Sequence, residues 1–150
     1  SGTDFFQPSI GGDDVNCQMF SPDDYLEFIF PHEQELARHG RNFYYHSCGC
    51  LTPIYRHLAR LDNLDKVHVS PWSELDAAVE AFHGSGVIVQ RLMDTQREIM
   101  GRSVAEMRSG AAGMKGRMSG VFAEIACHCE TAEAFEKSKD FVRAASEAVK

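Results

Sequence analysis

The sequence predicts an α/β fold built on a mainly parallel sheet, and three observations lead there. Short β-branched or aromatic runs recur along the chain: NFYYHS (42–47), KVHVS (66–70), GVIVQRLM (86–93) and GVFAEIAC (120–127). Between them lie longer segments with helical periodicity and helix-start signals. Strand and helix therefore alternate, the pattern of βα units joined by right-handed crossovers. Two architectures satisfy this pattern, an open doubly wound sheet and part of a (β/α) barrel. In both, the loops that follow the C-terminal ends of the strands carry the chemistry.

Taken in order, FFQPSI (5–10) reads as a short, proline-interrupted strand, and GGDD (11–14) as a turn. Ser21-Pro22 opens a helix, with Ser21 as N-cap, Pro22 at the first helical position and Asp24 placed for a capping box. Pro31 should kink or split that helix, and Gly40 should end it. After the 42–47 strand, Thr52-Pro53 caps a helix with Ile54, Leu58 and Leu61 on one face. After the 66–70 strand, Ser73 with Asp76 opens a helix through Phe82, ending near Gly84. One long helix is expected from about Thr95 to Met118, weakened by about 1 kcal/mol at each of Gly110, Gly113 and Gly116. After the 120–127 strand, Thr131 caps a last helix bearing Phe135, Val142, Ala145 and Val149.

Bulk properties narrow the function. The 150 residues suffice for a single domain, 1–150, with a real core, and 43% apolar with 25% charged residues is a globular composition. A net charge of −7 argues against nucleic acid, whose binding rests on Lys and Arg neutralising phosphates, and against anionic membranes. The apolar runs are too short to span a bilayer, and no basic segment followed by an apolar one opens the chain. No export signal is therefore expected, and a cytoplasmic location is. Five cysteines, Cys17, Cys48, Cys50, Cys127 and Cys129, then suggest metal or redox chemistry rather than a disulfide framework, with Cys17 an ordinary buried thiol.

The most informative stretch is NFYYHSCGCLTP (42–53), in which a strand ends in His46, Cys48 and Cys50. Zinc takes Cys and His in tetrahedral sites, and a catalytic zinc keeps one position open. A strand repeats every two residues, so His46 and Cys48 fall on one side. Cys127, at the end of the last strand, offers a third ligand, with Cys129, Cys50 and His128 as alternatives. The plainer reading is a set of core-filling thiols with a surface histidine. Other signals are weaker. Asp13-Asp14, taken in isolation, reads as a plain polar turn. GAAGMKGRMSG lacks the order of a phosphate-binding loop, and no G-x-G-x-x-G follows a strand. Met93, Met100, Met107 and Met114 recur every seven residues, as in a helix core stripe. His68 in KVHVSPW reads as a satisfied structural histidine.

The order GGDD, QMFSPDDYLEFIFP, FYYHSCG and VHVSPWSEL resembles the C-terminal half of the uroporphyrinogen decarboxylase-like superfamily of TIM barrels. H-S-C-G points to its branch of zinc-dependent, corrinoid-linked methyltransferases. The resemblance covers nearly the whole chain from about Phe5, strongly through Leu75 and loosely beyond. It implies about the last four βα units of a (β/α)8 barrel. It implies a zinc site of His46, Cys48 and a distant cysteine, for which Cys127 is favoured because it directly ends a strand. The proline-glycine context that the family places before that cysteine is replaced here by EIACHCE, which leaves Cys129 as a rival. Asp13 and Asp14 resemble the family's acidic pair at the barrel mouth.

The implied chemistry is methyl transfer from a corrinoid, carried on a partner protein, to a small-molecule thiol. Zinc would bind the acceptor thiol and favour its thiolate. A half barrel leaves open sheet edges and an uncovered face, so closure by self-association into a homo-oligomer is expected. The alternatives are a metal-free decarboxylase-like fold and a non-catalytic subunit that needs a partner half.

Overall fold

The structure, a computed structural model, describes residues 9, 10, 17 and 19–149. Strands β1 (Ser9–Ile10), β2 (Phe43–Tyr45), β3 (Leu64–Val69), β4 (Ile88–Met93) and β5 (Phe122–Cys127) form one sheet in the order β1-β2-β3-β4-β5, all parallel. The order decides between the two architectures. A doubly wound sheet reverses direction partway, whereas here every crossover steps the same way. Right-handed crossovers that never reverse put all helices on one face, as in a (β/α) barrel. The chain is thus a partial, barrel-type sheet, and it is open.

The two sheet faces differ in chemistry. Phe43, Tyr45, Val67, Val69, Val89 and Met93 point to the helices and join Leu58, Ala78, Phe82, Ile99, Met107 and Phe141 in the core. Full burial of each such side chain contributes about 1.5–3 kcal/mol, so stability rests on this face. The alternate positions, Tyr44, Lys66, His68, Gln90 and Glu124, stand in register across β2 to β5 on the opposite, inner face.

The first helix, α1, opens over Pro22–Asp24 with the expected reciprocal Ser21–Asp24 capping box. It widens to π-helical geometry over Tyr25–Ile29 and continues as α-helix over Phe30–His39. Pro31 therefore does not split it. The preceding wide turn, in which the Phe30 N–H donates to the Tyr25 carbonyl, makes room for the proline ring. Helix α2 is a 3-10 turn over Thr52–Ile54 followed by Tyr55–Leu58. Thr52 does not cap it; its hydroxyl accepts from the Glu74 N–H (2.8 Å). Helix α3 covers Leu75–Phe82, and its N-cap is Glu74 rather than Ser73, whose hydroxyl instead accepts from the Leu51 N–H (2.9 Å).

The helix expected over Thr95–Met118 is two pieces. Asp94 caps a π-helical turn over Thr95–Met100. Ser103 then starts α4, Val104–Arg117, with its own capping box to Glu106. A second cap inside the segment is what divides it. Helix α5 is Ala132–Val149, with the Thr131 hydroxyl accepting from the Ala134 N–H (3.1 Å). Its buried face is Ala134, Ser138, Phe141 and Ala144, while Phe135 (55%) and Val142 (58%) are exposed. Among the described residues no helix is long and apolar enough to cross a membrane.

Candidate functional site

Strand β2 delivers the candidate ligands to the C-terminal rim of the sheet. Period-two alternation sends Tyr45 into the core and Tyr44 and His46 to the inner face. His46 Nε2 and Cys48 Sγ lie 3.5 Å apart, and Cys48 is exposed. The loop that holds Cys48 is clamped from the next rim segment. The Ser70 hydroxyl donates to the Gly49 carbonyl (2.7 Å), and the Ser73 hydroxyl accepts from Leu51 N–H. The serines of VSPWS therefore fix the backbone of HSCGC. Ser47, fully buried, uses its own hydroxyl to receive the Gly49 N–H (3.0 Å).

His68 lies beneath this loop at 1% exposure. Its Nδ1–H donates to the Ser47 carbonyl (2.7 Å), and its ring stacks on His46 with centroids 4.4 Å apart. Burial pushes the imidazole down to about 4. The Ser47 carbonyl opposes the shift, and the charges of His46, His128 and Arg91 reinforce it. Deeper on the inner face, Tyr44 Oη lies 3.2 Å from His46 Nδ1 and donates to Gln90 Oε1 at 2.5 Å. Gln90 Nε2 donates to Glu124 Oε1 (2.6 Å), and Lys66 Nζ pairs with Glu124 Oε2 (2.7 Å). Burial alone would raise the Glu124 carboxyl; hydrogen bonds from Lys66 and Gln90, with the Lys66 charge, outweigh it and hold the carboxyl below its usual value. Tyr44 is pushed up to about 12 by burial, then by the charges of Glu124 and Cys48.

The cysteines divide into three places. Cys50 lies beside Cys17, whose N–H donates to the Cys50 carbonyl (3.1 Å). Burial, then Cys50, raises the Cys17 thiol to about 11. Cys127 pairs in register with Met93, on the helix-facing side of β5, and the Ser138 hydroxyl of α5 lies against it. Burial, then Cys129, raises its thiol. Cys127 Sγ and Cys129 Sγ are 3.9 Å apart. Strands β2 and β5 are three strand spacings apart, about 14 Å along the sheet. The structure thus brings His46 and Cys48 together, and Cys127 and Cys129 together, as two separate pairs. Among the described residues no three His, Cys, Asp or Glu side chains gather closely enough to hold a metal. Asp13 and Asp14 lie outside the described residues.

His68 is the satisfied structural histidine that the sequence suggests. The polar row on the inner face, Tyr44, Lys66, Gln90 and Glu124, is not singled out by any motif. Its signal is polar residues at every second position of strands whose intervening positions are apolar.

The fold defines a class, the partial (β/α) barrel. No family model matches the chain, and no curated protein matches it. A solved structure described as a methyltransferase from Methanosarcina mazei is similar over 95% of this chain, with a TM-score of 0.69 and 18% identity. The match spans 42% of that longer chain. The likeness shows a shared fold.

Proposed function

We propose that this chain forms part of a barrel methyltransferase that moves a methyl group from a corrinoid, held by a partner protein, to a small-molecule thiol. In this reading zinc sits at the rim on His46, Cys48 and Cys127. The observation that carries the reading is the 3.5 Å approach of His46 Nε2 to Cys48 Sγ at the C-terminal rim of a barrel-type sheet. Imidazole and thiolate are the donors zinc prefers, and the rim is where such folds place their chemistry.

The donor types fit zinc, but the arrangement supplies two donors of a tetrahedral set rather than three. Cys127 faces the helix layer, so completing the set requires a sulfur from the end of β5 to turn to the inner rim. Cys129, 3.9 Å from Cys127, is the second candidate for that place. Zinc, when bound, lowers the pKa of a coordinated thiol so that the thiolate forms near neutral pH. The chain's own contribution is positional. Ser70 and Ser73 hold the backbone around Cys48, and Tyr44 and His68 hold His46. The polar inner face and exposed Phe122 (67%) favour completion of the sheet by further polypeptide, here a second copy of the chain.

Cobalt(II) loading tests the reading. Thiolate-to-cobalt charge-transfer absorption should appear on loading and strengthen when a small thiol is added. Absence of the band in the wild-type chain contradicts the proposal. Light scattering should give a dimer mass; a monomer contradicts the self-association.

A further inference from the structure

The end of β5 carries two thiols one residue apart, and the function proposed above uses at most one of them. Cys127 Sγ and Cys129 Sγ lie 3.9 Å from each other. They differ in access. Cys127 is partly buried against α5, where the Ser138 hydroxyl lies beside it, and Cys129 is exposed. The backbone that carries them is held at three points. Before the pair, β5 stands in register with β4, Cys127 opposite Met93. At the residue between them, the Thr95 hydroxyl donates to the His128 carbonyl (2.5 Å). Beyond them, the Thr131 hydroxyl caps α5 by accepting from the Ala134 N–H (3.1 Å). The anchored backbone keeps the two sulfurs as neighbours, while the exposed Cys129 side chain has room to turn. A disulfide holds its sulfurs about 2.05 Å apart, so the pair is one side-chain rotation short of a bond. Reaction between groups held this way needs no second encounter.

We propose that Cys127 and Cys129 form a redox-active dithiol that exchanges with low-molecular-weight disulfides and closes an intramolecular Cys127–Cys129 disulfide. The site stands on the placement of the two sulfurs and does not rest on the zinc reading. Access sets the order of events. The Cys129 thiolate attacks one sulfur of the small disulfide; that S–S bond breaks, a thiolate leaves, and a mixed disulfide forms on Cys129. The Cys127 sulfur then attacks Cys129 Sγ and expels the second half as a thiolate. The two protons released by the cysteines end on the two small thiols. The protein dithiol is oxidised by two electrons and the small disulfide is reduced by two. Excess small thiol runs the same steps backward.

The experiment equilibrates the full chain, with a metal chelator present, in glutathione at a series of oxidised-to-reduced ratios. Free thiols are then trapped by acid and alkylation, and the chain is digested with trypsin. Cleavage after Arg117 and Lys137 releases the peptide 118–137, whose only cysteines are Cys127 and Cys129. In the wild type this peptide should lose two hydrogens as the oxidised fraction rises and regain them in excess reduced glutathione. Cys127→Ser should instead keep glutathione on Cys129, with an adduct at least ~10-fold longer lived than any in the wild type, because the resolving sulfur is gone. Cys129→Ser should take up glutathione at Cys127 about 10-fold more slowly than Cys127→Ser does at Cys129, because its thiol is less accessible. The wild-type peptide decides the proposal without either variant. A wild-type peptide that stays reduced, that stops at a glutathione adduct, or that joins Cys127 or Cys129 to a different cysteine overturns the dithiol. A Cys127→Ser adduct that clears as fast as the wild type's overturns the role of Cys127 as the resolving sulfur.

Discussion

The imidazoles of His46 and His68 stack face to face, with centroids 4.4 Å apart and planes 19° from parallel. Two rings so arranged hold their in-plane nitrogen lone pairs in separate, nearly parallel planes. They cannot both aim at one ion, so His68 supports His46 rather than sharing its ligand. His68→Phe should keep the stack but leave the Ser47 carbonyl without its donor, at a cost of about 1–3 kcal/mol by chemical denaturation. The pH profile adds a second readout. The buried ring has a folded pKa of about 4, below the ordinary 6.5, so the unfolded chain binds this proton first. The contribution is complete above 6.5 and is lost as pH falls from 6.5 toward 4. His68→Phe should remove that acid sensitivity, and an unaltered profile would contradict it.

Glu33 gives the opposite sign. It is 6% exposed and accepts hydrogen bonds from the Tyr25 (2.5 Å) and Tyr45 (2.9 Å) hydroxyls. Burial raises its carboxyl pKa although both tyrosines pull it down. With the folded pKa above the ordinary 4.5, the folded state takes the proton first. Lowering the pH through the raised value toward 4.5 should stabilise the wild type relative to Glu33→Gln. The two unfolding curves, compared across pH, check this; a constant difference would count against it.

Thiol reactivity should follow placement. Cys48 and Cys129 are exposed and should react first with a thiol-specific chromogenic reagent in the native chain. Cys17, half-buried with its thiol raised to about 11, should react last. Peptide mapping of the labelled chain reads the order. Early labelling of Cys17 would contradict the packing of Cys17 against Cys50.

Gly110, Gly113 and Gly116 lie within α4, and a Cβ added at any of them meets nothing within 4 Å. Each should gain about 0.5–1 kcal/mol of stability on replacement by Ala, seen as a higher melting temperature. A loss would show that the close approach of another element needs these glycines.

The sequence made the alternation of strands and helices plain, because β-branched runs and capping signals such as Ser21–Asp24 are local. It left strand order open, since nothing in a βα repeat says whether the next strand steps onward or turns back. Pro31 marked the irregular point, but its form was not legible because the accommodating wide turn lies before the proline and carries no signature. Thr52 and Ser73 misled because their hydroxyls serve neighbouring loops instead of their own helices. The nearness of His46 to Cys48 was legible from spacing. The orientation of Cys127 follows from the register of β4 with β5, Met93 opposite Cys127, which only the paired sheet reveals.

The proposed zinc is held at the rim by His46 and Cys48 with a sulfur from the end of β5. The direct measurement is zinc content by elemental analysis, after equilibration and desalting, of the wild type beside Cys48→Ala. About one zinc per chain is expected in the wild type and essentially none in the variant. A wild type that retains no zinc, or a Cys48→Ala chain that retains as much as the wild type, would contradict it.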